Sequence, residues 1–163
     1  MAEWPEFDPE AQLRSLVRRG ADFVVVGAFA AVLHGSSRLT TDLDIAFDPD
    51  RANLETLGKA LVDLDARLRD VEDEVPFVPD VDTLRRIELL TLETSAGPLD
   101  LIVRPPGAPS YGSLRRRAER FDLGEVAVLV ASLDDLIAMK RASGRPKDLA
   151  DLEELDEIRR RRG

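Results

Sequence analysis

Apolar residues recur along the chain with two different periods, and each change of period marks an element. FDPEAQLRSLVRRG carries Leu13, Leu16 and Val17 at helical spacing, with Asp8 placed to cap the helix, Pro9 in its first turn and Gly20 to end it. DFVVVG is a continuous apolar run of strand length that ends at Gly27, and AFAAVLHG follows as a short helix. LDIAFD alternates, which predicts a second strand around Leu43 to Phe47. Asp48, Pro49 and Asp50 then open a long helix from about Arg51 to Leu68, with Leu54, Leu57, Leu61 and Leu64 or Leu68 facing inward. VEDEVPFVPDVD is acidic and broken by Pro76 and Pro79, so it reads as a surface loop. IELLTLET and PLDLIV, separated by SAG, have the pattern of a β-hairpin. After the loop PPGAPSYG come a short basic helix in SLRRRAER and a strand in EVAVLV. Two helices close the chain, roughly Leu133 to Ala142 and Lys147 to Arg162, broken at Gly144 and Pro146.

This order predicts an α/β fold of mixed α+β character: a mixed β-sheet flanked by helices, with a C-terminal helical pair over 132–163 and an N-terminal helix within 1–20. The helix between the first two strands is too short for a standard βαβ crossover. Length points to a single domain over 1–163, because 163 residues with 44% hydrophobic and 34% charged side chains is the balance of one ordinary globular unit. The absence of cysteine excludes a disulfide scaffold, a thiolate zinc site and a cysteine nucleophile. A single histidine, His34, excludes sites that need two imidazoles, and it reads as a packed helix-end residue. No apolar stretch reaches the roughly 20 residues that span a bilayer, and the first dozen residues lack a secretory pattern, so a cytoplasmic location without membrane contact is expected. A net charge of −9 repels nucleic acid overall, so any nucleotide or RNA site has to be built locally.

The sharpest chemical feature is TTDLDIAFD. In a strand Asp42 and Asp44 share one face while Leu43 and Ile45 take the other. At the usual strand rise their Cα atoms lie about 6.6 Å apart. Two carboxylates so placed can converge on a divalent cation, and oxygen-only ligands favour Mg2+ or Mn2+ over zinc. A solvated acidic face of an edge strand is the alternative for an isolated pair of this kind. Upstream, VVVGAFAAVLHG sets a strand, a glycine turn and a helix start just before the acidic strand, where backbone N–H groups could meet an anion.

With these residues in view, the chain resembles the nucleotidyltransferase superfamily of polymerase β-like fold. The family pattern is an apolar residue, Gly, Gly or Ser, a spacer, then Asp, apolar, Asp or Glu, apolar; here it reads Val26, Gly27, Ala28, thirteen residues, Asp42, Leu43, Asp44, Ile45. Ala28 departs from it, supplying neither a hydroxyl nor glycine's freedom. The resemblance implies a third carboxylate on a later strand, for which Asp100 in GPLDLIVRPPG is the candidate and Glu88 and Glu93 are rivals. Within the superfamily the chain is similar to AbiEii-like and minimal nucleotidyltransferases, including toxin components of toxin–antitoxin pairs. The similarity extends to LDLIVRPPG with Tyr111 after it, and to VASLDDLIAMKRASGRPKDLADLEEL, where Lys140, Arg145, Lys147 and Asp148 match the family's lysine, arginine and Lys-Asp pair.

Read from its own residues, that last block has Ser132 capping a helix whose inward stripe of Leu133, Leu136 and Ile137 is broken by Lys140. Its ammonium either meets an acidic cleft or a phosphate, or snorkels to water, in which case methionine there would be neutral or slightly stabilising. Asp148 could simply serve a helix dipole. Arg38 and Thr40 could touch phosphate or merely be polar loop residues. The clusters Arg14, Arg18 and Arg19, Arg115 to Arg117 with Arg120, and Arg159 to Arg162 are solvated helix faces or a path for RNA. The resemblance thus implies a metal-dependent enzyme. It would move a nucleoside monophosphate from an NTP to a hydroxyl of RNA, tRNA or protein, with Asp42, Asp44 and Asp100 as catalytic metal ligands. Gly27, Ala28, Arg38, Thr40, Lys140, Arg145 and Lys147 would lie around the nucleotide, and a cognate antitoxin is an implied partner. The alternative is a catalytically weak member of the same fold that binds a nucleotide or a partner protein.

Overall fold

The computed structural model describes residues 6–71 and 76–163. Among these, seven strands form one mixed sheet in the order β3-β4-β5-β2-β1-β7-β6, with seven helices around it. Part of the segment read as a proline-broken loop, 72–75, lies outside the described residues.

The first helix, α1 (Pro9–Arg19), is capped as its sequence dictates: Asp8 accepts from the Ala11 N–H, and Gly20 ends it in the left-handed region. Its buried face is Gln12, Leu13 and Leu16, whereas Val17 lies at the surface. Gln12 takes the inner place because its amide Nε2 donates to the carbonyls of Gly97 and Pro98, at 3.0 and 3.1 Å. β1 (Phe23–Val26) is buried throughout and runs directly into α2 (Gly27–Leu33). Because α2 is so short, the chain returns antiparallel: β2 (Leu43–Phe47) pairs Val26 with Asp44.

The next helix departs from expectation. α3 (Arg51–Asp63) stops before Leu68, because Asp65 adopts a positive φ of 52° and turns the chain out. Arg67–Leu68 then forms the edge strand β3. A short helix not foreseen, α4 (Val81–Arg85), is capped by Asp80 and buries Leu84. The hairpin is as read: β4 (Leu89–Thr94) and β5 (Gly97–Ile102) pair antiparallel, and β5 then lies parallel to β2 with Asp44 opposite Asp100.

α5 (Tyr111–Arg117) is shorter than its basic run, because residues 119–123 form β6 (Glu119–Leu123), hairpinned onto β7 (Val126–Val130). β7 pairs parallel to β1. α6 (Leu133–Ser143), capped by Ser132, and α7 (Lys147–Arg161) pack on each other near the expected bounds. Leu43, Ile45, Leu99 and Leu101 are fully buried on the face of β2 and β5 opposite Asp44 and Asp100. On the acid-bearing face, the space beside Asp44 is lined from α2, α6 and α7. No helix among the described residues is long and apolar enough to cross a membrane.

Candidate active site

Two strand positions and the residue just before β2 bring the carboxylates together. Asp44 and Asp100 are cross-strand partners in the β2–β5 ladder, and Asp42 stands two residues before Asp44 at the mouth of β2. One carboxylate oxygen from each of Asp42, Asp44 and Asp100 lies within 4.8 Å of the others. All three side chains are half-buried. Burial, reinforced by repulsion from Asp42 and Asp100, pushes the Asp44 carboxyl up to about 8. Asp100 is raised as well, chiefly by burial, although the Arg69 guanidinium pulls the other way. The rivals lie elsewhere: Glu88 is exposed, and Glu93 faces the Arg69 Nε at 3.7 Å.

Glycine at 27 is dictated by geometry. Its φ is +73°, and a Cβ built there would sit 2.0 Å from Asp44 Oδ2. A side chain at this turn would strike the carboxylate at the centre of the cluster. A cavity of about 190 Å3 opens beside Asp44, with Gly27, Ile102, Pro105, Pro106, Met139 and Lys140 among its lining residues. The turn, one acid of the cluster and the helix α6 thus share one cleft.

The other residues singled out by sequence fall into two groups. Thr40 donates to the Asp42 backbone carbonyl at 3.1 Å and to its Oδ1 at 3.3 Å, which steadies the chain entering β2. Ala28 is half-buried at the start of α2. Arg38 pairs with Asp151 of α7, while Arg145 pairs with Asp148 and also borders the cavity. Lys147 is exposed and does not line the cavity. Tyr111 is far from the acids: its hydroxyl donates to Asp22 at 2.5 Å, just before the opposite end of β1. His34 is packed as expected, its Nε2–H donating to the Ala131 carbonyl at 2.8 Å and its ring edge-on to Phe121. Burial lowers its proton affinity. The basic clusters are largely tied to acids, for instance Arg19 to Asp63, Arg117 to Asp135 and Arg160 to Glu157.

Lys140 breaks its stripe for a reason the sequence left open. Its ammonium donates to Asp148 Oδ1 at 3.2 Å and to Asp151 Oδ2 at 3.0 Å, so it joins α6 to α7. Asp148 is 1% exposed, and rather than merely serving a helix dipole it accepts from Ser143, the Arg145 N–H and guanidinium, and Lys140. Those donors, Ser143 first, hold its carboxyl well below the usual carboxylate range. The tolerance for methionine expected of a snorkelling lysine therefore does not apply. Lys140→Met is expected to destabilise the fold by about 2 kcal/mol, because it leaves buried Asp148 and half-buried Asp151 each short of a partner. Thermal melts of the variant against the parent check this, and an unchanged midpoint would refute it.

Sequence reasoning missed Arg69. It falls beyond the end of α3, where no motif flags it, and only the fold carries it across β4 to Asp100 at 2.6 Å.

Comparison with the curated proteins gives no match. Among solved structures, a candidate nucleotidyltransferase from Thermotoga maritima aligns at 16% identity and TM-score 0.49, covering 96% of this chain and 94% of that one. The JHP933 protein of Helicobacter pylori aligns at 18% identity and TM-score 0.48, covering 91% of this chain and 64% of that one. Residues 12–161 match the family model described as nucleotidyl transferase AbiEii toxin, type IV TA system, and the chain belongs to that AbiEii nucleotidyltransferase family.

Proposed function

We propose that the protein transfers a nucleoside monophosphate from a nucleoside triphosphate to a hydroxyl of RNA, tRNA or a protein side chain, with Mg2+ or Mn2+ held by Asp42, Asp44 and Asp100. One observation carries this reading: two carboxylates on paired strands and a third just before β2 converge within 4.8 Å beside a cleft that also holds Gly27 and Lys140. The donor set fits such an ion: it is all oxygen, and burial together with the neighbouring carboxylates raises the proton affinity of Asp44, a conflict that a divalent cation relieves. When bound, the ion supplies charge neutralisation for the α-phosphate and the departing pyrophosphate.

The chain's own residues supply the rest. A carboxylate of the cluster takes the proton of the acceptor hydroxyl. Its oxygen forms the new bond to the α-phosphorus, the bond from that phosphorus to the bridging oxygen breaks, and pyrophosphate leaves with the electron pair. Gly27, with no side chain, leaves room for Asp44, and the backbone beside Ala28 at the start of α2 meets phosphate oxygens. Lys140 and Arg145, on the cavity wall, set positive charge near the leaving group, while Arg38, Thr40 and Lys147 act from the rim. The family's toxin–antitoxin association makes a cognate antitoxin the partner to seek.

The test is incubation with each triphosphate labelled at its α-phosphorus, with Mg2+, and total RNA or total protein as acceptor. Label should move to an acceptor, and should fail to move in chelator. The second reading, a weak or inactive member that binds nucleotide, draws on Ala28 and on the engagement of Lys140 by two acids. Nucleotide binding without transfer under every combination would select it.

A further inference from the structure

The acid face of the sheet carries a cation reached only through the fold. In the β3–β4 ladder Arg67 opposes Glu93 and Leu68 opposes Leu92, and the Arg69 N–H donates to the Thr91 carbonyl at 3.1 Å. Thr91 opposes Asp100, and Asp100 opposes Asp44. Thr91, Asp100 and Asp44 therefore form one row across β4, β5 and β2, and Arg69, just past the end of β3, continues it. The Arg69 side chain, 22% exposed, crosses β4, and a single nitrogen, Nη2, is shared between the Leu92 carbonyl at 2.8 Å and Asp100 Oδ1 at 2.6 Å. Its Nε is buried and has no hydrogen-bond partner among the described residues. A long side chain is thus anchored to the backbone of β4 at the point where it grips the acid.

We propose that Arg69 is a positioning residue for the metal site: it ties one oxygen of Asp100 to β4 and leaves the other to be presented to Asp42 and Asp44. This rests on the metal-binding reading above. Three half-buried carboxylates repel, and without a restraint the third swings away, turning a three-ligand site into a two-ligand one. A guanidinium suits the restraint because it stays charged and its planar Nη2 carries two N–H groups at fixed angles, one for the Leu92 carbonyl and one for Asp100. The competing expectation is purely Coulombic. A cation beside a cation site opposes the metal, so its removal would tighten binding. The sign of the change decides between the two.

The experiment measures Mn2+ affinity of the metal-free full chain from the free-ion electron paramagnetic resonance signal, with folding checked by circular dichroism. Arg69→Met should weaken Mn2+ binding about 10- to 100-fold, the usual cost of losing a partner that orients a metal ligand. Added to Asp100→Asn, it should have no further effect, because Arg69 acts through Asp100. Arg69→Lys, which keeps the charge without the fixed-angle N–H pair on one nitrogen, should weaken binding to a lesser degree, and it carries the test if the methionine variant does not fold. Unchanged or tighter binding in these variants overturns the inference, as does an equal loss in the Asp100→Asn background. If the parent protein binds no Mn2+, or Asp44→Asn does not impair binding, the metal-site reading falls and the inference falls with it.

Discussion

Asp44→Asn is expected to abolish triphosphate-dependent transfer and, at the same time, to make the metal-free protein more stable at pH 8. The two effects share one cause. Asp44 is crowded by burial, Asp42 and Asp100, and its carboxyl is pushed up to about 8 against an ordinary value of 3.8. Between these limits the folded protein holds a proton that the unfolded chain releases. Stability is therefore fully present below about pH 4 and is lost as pH rises toward 8. Asparagine keeps the shape and removes the ionisation. On the order of 2 kcal/mol should be regained at pH 8, about 4–8 °C in melting temperature for a chain of this size. Saturating Mg2+ should stabilise the parent and shrink the difference. Transfer should fall by about a thousandfold, several kcal/mol of transition-state stabilisation. Melts at pH 5 and pH 8, with and without Mg2+, and the labelled-triphosphate assay check both halves. A variant less stable than its parent at pH 8 would show that the carboxylates are not in electrostatic conflict.

Gly27→Ala is expected to damage both the fold and the acid cluster. Two penalties coincide there: a φ of +73°, which costs an alanine about 1–2 kcal/mol, and a Cβ only 2.0 Å from Asp44 Oδ2. Relieving the overlap displaces an acid of the cluster, adding roughly 1–3 kcal/mol. A total of about 3 kcal/mol, or 6–12 °C, with at least a hundredfold loss of transfer, is expected. Gly20→Ala is the control. Its φ is +81° with nothing within 4 Å of the new Cβ, so strain alone should appear and transfer should persist. If Gly27→Ala behaved like Gly20→Ala, the glycine would have no bearing on the acids.

The parts of this arrangement that could be read from sequence are those whose cause is local. An apolar run ending at Gly27, alternation through Asp42 and Asp44, and a lone acid in the apolar strand of Asp100 state their geometry through side-chain period alone. Positions set by non-local pairing could not be read. RRRAER is rich in helix formers, yet Glu119 to Leu123 is held as a strand by its ladder with β7, and its charges suit an exposed edge. α3 stops at Asp63 although leucines continue its stripe, because the chain has to turn out to reach β4. Val17 had the right spacing for the core, but Gln12 displaced it by finding partners on a distant hairpin. Arg69 is the extreme case, since its partner Asp100 is 31 residues away and two strands over.

The loop between α2 and β2 has a consequence for the order in which the molecule assembles. Ser37 is held by Glu154 through both backbone and side chain, and Arg38 by Asp151, separations of 117 and 113 residues. These tethers sit just upstream of Asp42, on a stretch with no strand or helix of its own. During synthesis β1, β2 and β5 can pair long before α7 has left the ribosome, whereas this approach to Asp42 cannot be fastened until residue 154 is made. The sheet is thus ready early and the mouth of its acid cluster late, so a nascent chain lacking α7 carries the carboxylates without the clasp that shapes their entrance.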